Sequence, residues 1–85
     1  MMFIKTDRII HGIPLAMAEA NQWFKVVGVN GGKNLAKRIR SMGMMIDTQV
    51  QVLQHQKGTG LVVACGETRL AVGAGMAHKI LVVPA

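Results

Sequence analysis

Carboxylates, cysteine and aromatic residues are all scarce in this chain, and each scarcity closes off a class of function. Four acids stand against ten Lys and Arg, a formal net charge of +6. Asp7, Glu19, Asp47 and Glu67 are scattered, and no spacing pairs two of them as general acid–base work requires. The one cysteine, Cys65, allows neither an internal disulfide nor a multi-thiolate zinc site. It ends the run "LVVAC", where a buried thiol behaves as a small hydrophobe rather than a nucleophile. A reducing, cytoplasmic setting fits. Tyrosine is absent, and the aromatics are Phe3, Trp23 and Phe24, few stacking platforms for a nucleic-acid binder. No nucleic acid is therefore expected as partner.

Long apolar runs are missing too. No window reaches the roughly 18 uninterrupted apolar residues of a membrane span, so contact with a membrane is expected only through a partner. Ala16-Met17-Ala18 looks like a signal-peptide cleavage site, but Lys5, Asp7, Arg8 and His11 interrupt the apolar region before it. Gly31-Gly32-Lys33 lacks both the upstream glycine and the trailing hydroxyl of a P-loop. It reads as a turn and a helix cap, although helix-start amides can take an anion. His11, His55 and His78 form no i, i+4 pair, so no metal site or cofactor is expected from spacing. A regulator using His55 or His78 stays open if the fold brings them together.

What remains is a small, apolar, basic chain. Its 85 residues support one domain, burying roughly 60–65% of the surface of the unfolded chain. Half the residues are hydrophobic, more than so small a body hides, which points to cover by another chain, a second copy included. Seven methionines suit either an adaptable surface or an irregular core. The positive charge favours an acidic protein face, anionic lipid or nucleic acid without choosing among them.

Residues 1–14 read as a lead segment closed by Pro14, and residues 15–85 as the domain. A short helix from Pro14 places Leu15 and Met17 or Ala18, with Pro in its first turn. "WFKVVGVN" has strand composition and ends at the turn signal Asn30-Gly31-Gly32. "GGKNLAKRIRSMGM" follows as a helix, capped at its start by Gly32 or Asn34 and at its end by a left-handed Gly43. At 100° per residue Leu35, Ile39 and Met42 fall within about 60° of one another, and Lys33, Lys37 and Arg40 cluster opposite. Val50 and Val52 alternate with Gln49 and Gln51 in a half-buried strand. "HQKGTG" is a loop, "LVVAC" and "ETRLAVG" are strands joined by a tight turn, "AGMAH" is a helical turn, and "KILVVPA" is the last strand. About five strands, with one α-helix after the first and a short N-terminal helix, make a mostly β fold, a small bent barrel.

The order Gly31-Gly32, Leu35, Arg38, Ile39, Met42-Gly43-Met44, Val50 and Val52, Leu70-Ala71-Val72, then Ala77, Ile80 and Val82 resembles the FeoA family of ferrous iron transport accessory proteins. Three features depart from it. The family usually has Pro-Gly where this chain has Ile46-Asp47, Asn21 stands where glycine is common, and the lead is longer than usual. The resemblance implies an SH3-like barrel, no catalysis, no cofactor, and binding to FeoB, a membrane Fe(II) transporter with a cytosolic GTPase domain. The same barrel resembles the C-terminal module of some metal-dependent repressors. The candidate partner-binding residues are Lys33, Lys37 and Arg40 on the outer helix face and the corner Met44, Met45 and Ile46. Of Met44 and Met45, one is expected in the core and the other exposed.

Overall fold

The structure, a computed structural model, describes residues 12–85. The lead segment up to His11 lies outside the described residues. Alternating apolar residues put one face of nearly every strand inward. In β2 (Trp23–Val29) these are Phe24 and Val26; in β3 (Gln49–Gln56), Val50 and Val52; in β4 (Gly60–Cys65), Leu61 and Val63. β5 (Thr68–Gly73) contributes Val72, and β6 (Ile80–Pro84) contributes Ile80 and Val82. A two-residue β1 (Ile13–Pro14) pairs with β6, giving one antiparallel sheet of six described strands in the order β1-β6-β2-β3-β4-β5. Register shifts between Val26 and Gly28 and between Val52 and Gln54 mark bulges in β2 and β3, the device by which a small sheet curls around its core.

The fold class is the expected one, with differences of detail. β1 precedes the expected first strand, because Pro14 can sit on an edge where its missing N–H costs no ladder bond. The expected N-terminal helix is a 3-10 turn, Leu15–Met17. It stops there because its segment is held elsewhere: His55 Nε2–H donates to the Ala18 carbonyl at 2.7 Å, and Asn21 N–H donates to the Val52 carbonyl at 2.6 Å. The helical turn before β6 is α2 (Ala74–Ala77), with Ala77 buried and His78 as its C-cap.

Helix α1 (Lys33–Ser41) begins at Gly32 and ends as its sequence dictates. Gly43 takes φ 98° and donates to the Arg40 carbonyl at 2.9 Å, while Met44 N–H reaches back to Ile39 O at 3.3 Å. That pair of bonds is a Schellman cap, and its usual apolar contact is present as Ile39 and Met44, both 1% exposed. Leu35 and Met42 are half-buried against the same core. Nothing stands within 4 Å of where a Gly43 Cβ would project, so only the backbone objects to a side chain there. Gly43→Val is expected to cost about 1–2 kcal/mol through the left-handed φ alone, read as a lowered urea midpoint at unchanged slope.

The two glycine positions where this chain departs from the family resemblance are both left-handed: Asn21 has φ 69° and Asp47 φ 75°. Asn and Asp are the non-glycine residues that tolerate this region best. Asp47 lies in a turn closed on both sides, by Thr48 N–H to Met45 O at 3.0 Å and Met45 N–H to Thr48 Oγ1 at 3.1 Å. Asp47→Gly is expected to leave stability unchanged or raise it by up to about 1 kcal/mol, whereas Asp47→Val loses about 1–2 kcal/mol. Denaturant titration of the pair checks the sign of each.

Candidate functional site

Because α1 reaches the sheet through Ile39, Leu35 and Met42, the flank next to Ile39 decides what lies between helix and sheet. That flank carries Ala36, whose short side chain leaves a cleft of about 470 Å³ open beside β2. Val26, Val29, Ala36, Arg40, Met44, Met45 and Ile46 line it. Val26 and Met44 are buried and form the floor. The Schellman cap sets this up: it turns Met44 inward, and the turn that follows sends Met45 and Ile46 out, 53% and 64% exposed. Asp47 N–H donates to Val26 O at 2.7 Å, which fixes the turn against β2. The apolar lip therefore stands on a rigid support.

The other lip is cationic. Around the helix, Ile39, Ala36, Arg40, Lys33 and Lys37 follow in that order, so Arg40, Lys33 and Lys37 make an exposed stripe about 60° wide beside the cleft. Among the described residues the ion pair is Lys25 Nζ to Asp47 Oδ1, 3.9 Å and solvent-exposed, which contributes little to stability. Among the described residues no carboxylate is paired with the stripe.

Of the six residues proposed from sequence, Arg40, Met44, Met45 and Ile46 share this cleft, and Lys33 and Lys37 extend its cationic edge. Met44 and Met45 divide as expected, Met44 in the core and Met45 outside. Met44 thus contributes floor rather than exposed corner. Val26, Val29 and Ala36 were not singled out. Ala36 was legible as the small residue one turn before Arg40, whereas Val26 and Val29 carry no local signal beyond that of a strand.

The other candidate groups are placed as follows. His55 and His78 line one smaller cleft of about 200 Å³ together with Lys57, so the fold does bring the two histidines to one place. His55 Nε2 is committed to Ala18 O, and among the described residues no three of His, Cys, Asp and Glu come together. Cys65 is half-buried and its Sγ lies 3.5 Å from Gly43 O. Phe24 is buried and Trp23 is 43% exposed. Gly31 and Gly32, with Leu35, Arg38, Gly75, Met76 and Lys79, border an open hollow between the starts of the two helices. Among the described residues no helix is long and apolar enough to cross a membrane.

Comparison with known proteins adds four findings. A family profile described as the FeoA domain matches residues 13–84. Over 69 residues the chain is 32% identical to a protein of Methanocaldococcus jannaschii provisionally named Fe(2+) transport protein A, covering 81% of this chain and 83% of that one. A crystal structure of an iron uptake regulatory protein, FeoA, superposes with a TM-score of 0.79 at 27% identity, covering 86% of this chain and 97% of the other. A manganese-dependent transcriptional repressor in complex with manganese gives 0.80 at 18% identity, but this chain spans only 37% of it. At that identity the likeness is one of fold.

Proposed function

This chain belongs to the FeoA family, and from that premise we propose that it is a non-enzymatic cytoplasmic accessory of ferrous iron uptake. It docks on the cytosolic GTPase part of an FeoB-type membrane transporter and meets the membrane only through that partner. The observation that carries the reading is the cleft between α1 and β2, with an apolar lip at Met45 and Ile46 and a cationic lip at Arg40 that the exposed Lys33 and Lys37 extend along the helix. Exposed apolar side chains on a rigid turn give contact area, and the neighbouring charges steer and orient the encounter.

Among the described residues, the groups best suited to chemistry are engaged in structural contacts, which favours a binding role. The half-buried thiol lies against a backbone carbonyl, and His55 is hydrogen-bonded to the Ala18 carbonyl. The direct test is a calorimetric titration of the purified chain into the transporter's cytosolic region. Saturable binding supports the reading, and its absence with both proteins folded overturns it.

A further inference from the structure

We propose that the occupant of the α1–β2 cleft is an acidic polypeptide segment that inserts one bulky apolar side chain and lays a carboxylate on Arg40, with Lys33 and Lys37 extending the attraction along the helix. This rests on the docking reading above and specifies what the partner must present. The two lips make unlike demands, and a partner has to meet both. Between Ala36 on one wall and Ile46 on the other, over a floor of Val26 and Met44, the cleft accepts apolar atoms. Its cationic edge asks for anions. Helix α1 holds Lys33, Lys37, Arg38 and Arg40 and no acid. The only acids among the described residues are Glu19, Asp47 and Glu67, and the one at this corner, Asp47, faces Lys25. Among the described residues, then, no acid is paired with the stripe, and a guanidinium such as Arg40 holds a partner's carboxylate by charge-assisted, often bidentate hydrogen bonds.

Other anionic surfaces fit less of the site. A phosphate backbone would satisfy the cations and leave the apolar cleft unused. A bilayer is flat, whereas this feature is concave and flanked by a raised lip. An acidic segment with a Leu, Ile, Phe or Met amid its carboxylates satisfies floor, apolar lip and cationic lip together.

The test uses the full chain and the transporter's cytosolic region in calorimetric titrations at low and high salt, with two variants. Ala36→Trp fills the cleft without altering charge. Arg40→Glu reverses the lip at an exposed position. Each is expected to weaken binding by about tenfold or more, and wild-type affinity is expected to fall with salt. If the wild type binds and both variants match it, the inference is overturned while the docking reading stands. Loss in Arg40→Glu alone means charge without insertion, and loss in Ala36→Trp alone means insertion without an acidic partner; either result overturns it. If the wild type does not bind, the docking reading falls and this inference falls with it. Should Ala36→Trp melt well below the wild type, Ala36→Leu, a smaller plug, replaces it.

Discussion

Gly60→Ala is expected to lose on the order of 3 kcal/mol, a fall in melting temperature of roughly 12 °C or more for a domain of this size. Two costs coincide there. Gly60 has φ 135°, a region that side-chain-bearing residues rarely occupy, and holding one there costs about 1–3 kcal/mol. The added Cβ would also be driven into the Val72 carbonyl oxygen and to 2.9 and 3.0 Å from Gly73 Cα and Ala74 N. All three are backbone atoms, so no side chain can rotate away. They belong to the end of β5 and the start of α2, where Gly60 pairs with Gly73 and Ala74 N–H donates to Thr59 O at 3.2 Å. Relief would require parting that end of β4 from β5, over the buried Leu61 and Val72. Gly43 provides the internal control, because it has a positive φ and open space. If Gly60→Ala melts within a few degrees of wild type, or no lower than a Gly43 variant, close approach of the strands is not what requires glycine at this position.

Features written in neighbouring residues were legible from sequence, and features made by distant segments were not. The end of α1 follows from Ile39, Gly43 and Met44, because a Schellman cap needs only a left-handed residue and two apolar side chains at fixed offsets. Val50 and Val52 announced an inward face because strand periodicity is local. By contrast, the 3-10 turn at Leu15–Met17 is cut short by bonds to Val52 and His55, more than thirty residues away. β1 has two residues and no alternation to read. The departures at Asn21 and Ile46-Asp47 marked two unusual turns, and the answer is that Asn and Asp occupy the left-handed positions themselves.

The site divides along the same line. Arg40, Met45 and Ile46 come from one continuous stretch, so their grouping could be read from the helix and its cap. The strand beneath them is β2, and only its place in the sheet brings Val26 and Val29 to the same cleft as Ala36. Likewise no spacing rule would seat His55 and His78 in one cleft. A sequence shows which side chains a helix turns outward. Whether the space beneath them is filled depends on pairings across the whole sheet.

Met45→Asp is expected to weaken docking on the transporter's cytosolic region by about 2–4 kcal/mol, and Lys37→Ala by less than about 1 kcal/mol. Met45 is 53% exposed in the free chain, so a partner that closes over the apolar lip removes substantial thioether surface from water. Aspartate forfeits that burial and, in a closed interface, leaves a charge without a partner. It also faces an acidic segment with the wrong sign. Lys37 lies at the outer edge of the cationic stripe, where solvent and salt screen it and Arg40 and Lys33 remain to steer the approach. Its loss should lower the association rate and flatten the salt dependence more than it changes the dissociation rate. Neither residue belongs to the core, so both variants should keep the wild-type melting temperature, separating lost contact from lost fold. Equal losses in calorimetry, or a greater loss for Lys37→Ala, would mean that charge rather than the Met45–Ile46 lip holds the complex together, and the docking surface would have to be moved further around α1.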